Sequence, residues 1–128
     1  MKILDVTSVE HFKELLDTHK IVFVDFWADW CAPCRMLGEI YEEMKSEIDP
    51  EIDVIIAKVD TETDDMELKG VVAQLQISSI PAVFVFIKGK LLAFKDQEGN
   101  VIDRIVGVRP KETYVDLIGR LDEIEEEA

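Results

Sequence analysis

The chain has 128 residues, 48% of them hydrophobic, which suits one domain with one two-sided core and leaves no room for a second. Its formal charge of −14, with no compensating basic patch, excludes nucleic acid and an acidic membrane surface as natural partners. No apolar run approaches membrane-spanning length, and residues 1–16 alternate charged and apolar side chains where a secretory leader would be continuously apolar, so a cytoplasmic protein is expected.

Residues 2–6 read as a short strand. Thr7 and Glu10 have capping-box spacing, and Val9, Phe12, Leu15 and Leu16 then share one helical face. Residues 21–27 are almost continuously apolar, as expected of a central strand covered on both sides, with Asp25 as the interruption. Directly behind comes Cys31-Ala32-Pro33-Cys34, which holds both cysteines. Leu37, Ile40, Tyr41, Met44 and Ile48 recur at helical spacing until Asp49-Pro50 ends the pattern.

Residues 53–59 supply another buried strand, and residues 64–75 a helix with Leu68, Val71, Val72 and Leu75 on one face despite Gly70. Residues 83–87, 91–95 and 101–106 are strand-like, and the turns Lys88-Gly89 and Glu98-Gly99-Asn100 between them predict a hairpin. Pro110 opens a last helix carrying Val115, Leu117, Ile118, Leu121 and Ile124, and residues 122–128 read as an acidic tail. Alternating strands and helices followed by a hairpin predict an α/β fold, a mixed sheet with helices on both faces.

Two thiols separated by two residues, where a buried strand hands over to a helix, can close and reopen a disulfide ring without moving the fold. A helix starting at the motif sets Cys31 against unpaired N–H groups and the positive end of the dipole, which stabilise a thiolate. Cys31 is then the nucleophile. Cys34, one turn further in and shielded by Pro33, resolves the mixed disulfide. A structural bridge across two residues would remove little loop entropy, and zinc would need ligands that distant His11 and His19 do not supply, leaving intersubunit metal binding as the residual alternative.

A carboxylate in an apolar central strand is costly to ionise, so the pKa of Asp25 should be raised. Such an acid either exchanges a proton with Cys34 or simply bonds the backbone. Lys58, at the matching position of the neighbouring strand, either neutralises Asp25 or is a surface lysine. Trp30 would give an apolar platform beside Cys31, whereas Trp27 reads as core.

The segment Val24-Asp25-Phe26-Trp27-Ala28-Asp29-Trp30-Cys31-Ala32-Pro33-Cys34 resembles the active-site segment of the thioredoxins, and the resemblance extends to Ala57-Lys58-Val59-Asp60, Ile80-Pro81-Ala82 and Gly107. It implies the thioredoxin fold in one domain over residues 1–128, and a dithiol–disulfide oxidoreductase that reduces other proteins' disulfides. It further implies a cytosolic monomer with no metal and no cofactor beyond the Cys31/Cys34 pair, fed by a separate thioredoxin-reductase-type donor. A glycine-rich nucleotide fingerprint is absent from the sequence, so NADPH or flavin binding is not expected.

The resemblance favours proton transfer for Asp25, with Lys58 as its modulator. It also implies a cis Ile80–Pro81 bond facing the dithiol, and a substrate surface of Trp30, Ala32, Pro33, Ile80, Pro81, Gly107 and Val108. Ala32 stands where glycine is usual and Ala82 where threonine is common. Residues 61–79 and 90–106 look longer than usual, read as a lengthened helix and an extended hairpin. The alternative functions are an oxidase or isomerase of the same fold, and a non-catalytic binding or chaperone-like module.

Overall fold

The apolar run at residues 21–27 becomes the middle of the sheet. In the computed structural model, which describes residues 1–124, the main strands are Lys2–Asp5 (β1), Ile21–Trp27 (β2), Val54–Asp60 (β3) and Ala82–Ile87 (β4). The helices are Val9–Thr18 (α1), Ala32–Met44 (α2), Met66–Gln74 (α3) and Lys111–Asp122 (α4). Lys90–Leu91 (β5), Phe94–Lys95 (β6), Val101–Ile102 (β7) and Ile105–Val106 (β8) are two-residue strands. β3 pairs in parallel with both β1 and β2, β4 pairs antiparallel to β2, and the order is β1-β3-β2-β4-β5 with β8 also on β4.

Because successive side chains of a strand point to opposite faces, β2 feeds two cores. Ile21 and Phe23 pack with Leu37, Tyr41 and Met44 of α2 and Tyr114 and Ile118 of α4. Val22, Val24 and Phe26 pack with Leu15 of α1 and Leu68 of α3, and the Phe26 and Phe84 rings meet edge to face at 5.5 Å. Asp25 therefore falls on the α2 side by its register alone. Residues 21–26 are all buried, which accounts for the unbroken apolar run.

Local chemistry moves several boundaries. The cap of α1 is Ser8, whose Oγ accepts from His11 N at 3.1 Å, so the box read at Thr7 shifts by one residue. Asp65 caps α3 by accepting from Leu68 N at 3.0 Å, and the helix stops at Gln74, before Gln76 turns left-handed at φ 53°. The stretch 61–79 thus adds turns and not a lengthened helix. The expected long hairpin over 90–106 is broken: β6 and β7 form a separate two-stranded sheet, while β8 returns to β4.

The β6–β7 turn is built by Asp96, whose carboxylate accepts from the backbone N–H groups of Glu98 and Asn100, with Gly99 at φ 85° supplying the left-handed step. Trp27 is half-buried, not core, because it ends β2 at the sheet margin, where the Lys58 Nζ lies 4.6 Å above its ring. Pro110 precedes α4 as read, and Asp122 closes that helix, with Ile124 exposed beyond it. Of the acidic tail, residues 125–128 lie outside the described residues.

Candidate active site at the end of the central strand

β2 ends at Trp27, buried Ala28 follows, and the Cys31 N–H bonds back to the Ala28 carbonyl at 3.1 Å, folding the chain into α2. Cys31 is the N-cap of that helix, in extended backbone, and its Sγ accepts from Cys34 N at 3.2 Å. Pro33 sits in the first turn, where its missing N–H costs no intrahelical bond. Cys31 and Cys34 form a disulfide with Cα atoms 5.2 Å apart. Each residue is 3% exposed, so exposure does not distinguish the sulfurs. Capping does: the helix N-terminus acts on Cys31 Sγ, which also lies 3.8 Å from the Ile80 carbonyl.

Asp25 is fully buried and is the cross-strand neighbour of Lys58. Burial pushes its pKa up to about 7, while the Lys58 charge and then the Tyr41 hydroxyl pull it down. Tyr41 is in turn pushed well above its ordinary value, first by its own burial and then by Asp25. Tyr41 acts on the carboxyl at close range, yet no hydrogen bond of good geometry joins them. Both Asp25 oxygens and the Tyr41 hydroxyl are buried without a partner among the described residues. A cleft of about 480 Å³, lined by Trp27, Cys34, Tyr41 and Lys58 among others, opens this region to solvent from the α2 side.

The opposite approach to the sulfurs is formed by loops. The Ile80–Pro81 bond is cis, and the Gly107 N–H donates to the Pro81 carbonyl at 2.9 Å. Gly107 has φ 82°, a conformation that a side chain would strain. Trp30 is 69% exposed, and its indole N–H donates to the Glu62 carboxylate. Ala32 and Pro33 are exposed, Ile80 is half-buried, and Pro81 is buried. Gly107 and Val108 are both half-buried, and Val108 packs against the core.

Sequence reading missed two residues here. Tyr41 was visible only as part of a helical apolar face, although its position seven residues after Cys34 puts it two turns along the same side. Glu62 lies among neighbouring acids, and no sequence signal sets it apart from them.

A helix-capping dithiol behind a central strand that carries a buried, raised-pKa carboxyl, on a mixed sheet covered by helices, defines a thiol–disulfide oxidoreductase. Comparison with known proteins agrees. The Thioredoxin family model matches residues 2–118. A thioredoxin of Chlorobaculum thiosulfatiphilum is 38% identical over 110 residues, 86% of this chain and 87% of its own. The bifunctional thioredoxin reductase/thioredoxin of Mycobacterium leprae is 34% identical over 108 residues, covering 84% of this chain and 20% of that protein. The solved structure of a mutant thioredoxin from Halobacterium salinarum superposes with a TM-score of 0.74 at 22% identity, over 98% of this chain and 95% of that one, which speaks for the fold. The chain belongs to the thioredoxin family.

Proposed function

We propose that this chain, as a single domain over residues 1–128, is a monomeric cytosolic reductant of protein disulfides, with Cys31 as nucleophile and Cys34 as resolving thiol. The observation that carries the reading is one sulfur capping α2 at the end of a central strand in which a carboxyl is fully buried, and that burial pushes its pKa up to about 7. The Cys31 thiolate attacks a substrate disulfide: the Cys31–sulfur bond forms, the substrate S–S bond breaks, and the leaving thiolate takes up a proton. Asp25 then accepts the Cys34 proton as that sulfur attacks Cys31, closing the disulfide and releasing the second substrate thiol. Two electrons pass from the dithiol to the substrate. Lys58 holds the Asp25 pKa near neutrality, where the proton can move in either direction.

Trp30, Ala32, Pro33, Ile80, Pro81, Gly107 and Val108 form the surface against which an extended substrate lies. A chain whose only cysteines are this pair suits a reducing compartment, where such a pair works catalytically. No helix among the described residues is long and apolar enough to cross a membrane. Electrons come from a separate reductase of the thioredoxin-reductase type, a donor activity that the printed name of the M. leprae relative joins to a thioredoxin in one protein. No cofactor beyond the dithiol takes part.

The test is reduction of insulin by the purified chain with NADPH and a thioredoxin reductase, together with the equilibrium potential of the pair. Turnover that Cys31→Ser abolishes, with a potential near the roughly −270 mV of thioredoxins, is expected. A potential above about −200 mV would instead favour the oxidase or isomerase alternative.

A further inference from the structure

A cleft of about 790 Å³ lies away from the dithiol, between the β6–β7 sheet and α4. Phe94, Ile105 and Leu117 give it an apolar floor continuous with the core. Lys95, Arg109 and Arg120 also line it, and in a chain of net charge −14 these cations enter none of the ion pairs among the described residues. Asp96, Glu98 and Asp116 share the lining, so the cleft is not uniformly positive, although the Asp96 carboxylate is committed to the hairpin turn.

Arg109 is set apart by its position. It follows the rim residues Gly107 and Val108, and its Nη1 lies 3.7 Å from where a Gly107 Cβ would stand. Its backbone N–H is held by the Tyr114 hydroxyl at 3.0 Å, which anchors the residue while the side chain stays exposed. Arg109 therefore joins the Gly107 rim to the cleft, and its guanidinium has no ion-pair partner among the described residues. Strand order makes the two flanks of that groove unlike. Glu62 follows β3 on one side of β2, and Gly107 with Arg109 follows β8 on the far side of β4. One flank presents the Glu62 carboxylate to the rim and the other the Arg109 guanidinium.

We propose that Arg109 and the adjoining cleft receive an acidic side chain flanking the reacting cysteine of a protein substrate, so that the groove reads the charge polarity of the segment it reduces. This rests on the disulfide-reductant reading and adds a substrate preference to it. A guanidinium matches a carboxylate with two parallel hydrogen bonds, and the apolar floor accepts the methylene groups that carry it. Being exposed, the contact gives a preference of about threefold in rate and fades at high salt.

The test uses two peptides of identical composition and zero net charge, each with one cysteine in a mixed disulfide with 2-mercaptoethanol. One has Glu-Glu before the cysteine and Lys-Lys after it, and the other has the reverse. The overall negative field treats both alike. Reaction with the pre-reduced chain is followed by tryptophan fluorescence in stopped flow, with bis(2-hydroxyethyl) disulfide as an uncharged reference. The expected result is that one isomer reacts about threefold faster, that Arg109→Gln erases the difference, and that Arg109→Lys keeps part of it. Equal rates for the isomers, or a preference that persists in Arg109→Gln, would overturn the proposal. So would its loss in Lys13→Gln, a change of equal charge on α1 across the sheet. Failure to reduce the uncharged disulfide at all would overturn the underlying reductant reading instead.

Discussion

Strand β2 and the segment from residue 90 to 106 lie on opposite sides of β4, and they are ordered by different means. β2 is held in register along its length by β3 on one side and β4 on the other, and its first six residues are buried. The outer segment makes only two-residue strands, exposes Val101 at 70%, and depends on polar fastenings. Arg104 is the main one: it grips Asp103 through Nε and Nη2, donates Nη1 to the Gln76 carbonyl at 3.2 Å, and stacks 4.6 Å over Phe84. Reactive groups that must keep fixed distances grow from the over-determined region. The cleft beside Arg109 is walled instead by the lightly determined one.

The contrast can be broken most severely at Cys31. Cys31→Ser should lower insulin reduction about a thousandfold or more while circular dichroism stays native, because a serine hydroxyl can still cap α2. Loss of helix signal instead would mean that the sulfur holds the fold as well as the chemistry.

Asp25 gives the next largest effect. Its carboxyl pKa is raised from 3.8 to about 7 in the folded chain, so the folded state binds the proton more tightly than the unfolded state does. Stability relative to Asp25→Ala is therefore greatest below pH 3.8 and is lost as pH rises to about 7, by roughly 4 kcal/mol across that window. Urea denaturation of both proteins between pH 4 and 8 measures it, and a pH-independent difference would contradict the burial argument. Lys58→Gln removes the charge that pulls this pKa down, so the Asp25 carboxyl should titrate higher still, as read from its side-chain carbon resonance.

A smaller effect belongs to the frame around β2. Ser8→Ala should cost about 1 kcal/mol of global stability through the lost cap, with the dithiol potential unchanged. The smallest belongs to the outer segment. Asp96→Ala should raise amide exchange across residues 94–102 and leave β2 protected, whereas faster exchange in β2 would join the two regions into one cooperative unit.

What the sequence disclosed follows the same division. The continuous apolar stretch of β2, the dithiol behind it and the helical spacing of Leu37, Tyr41 and Met44 were legible because burial enforces periodicity. Asp25 and Lys58 could be matched as positions on neighbouring strands, and the register sets them side by side. The 90–106 segment was not legible, since its order rests on Asp96 in a turn and Arg104 reaching Gln76, 28 residues away, and hydrophobic patterning records neither. Ser8 displaced Thr7 as cap because the two hydroxyls are adjacent and the choice between them depends on backbone angles. The buried Tyr41 hydroxyl that acts on Asp25 was hidden for a related reason: a tyrosine on an apolar helical face looks the same whether its oxygen meets water or a carboxyl.

The bond from Cys34 N–H to Cys31 Sγ has a practical consequence. Its acceptor is a neutral disulfide sulfur in one state and a thiolate in the other, so the strength of that single bond alternates with every catalytic cycle. The Cys34 amide proton is thus a built-in gauge whose resonance frequency, read in the 15N-labelled chain, should report the oxidised fraction directly, with no dye or coupled substrate.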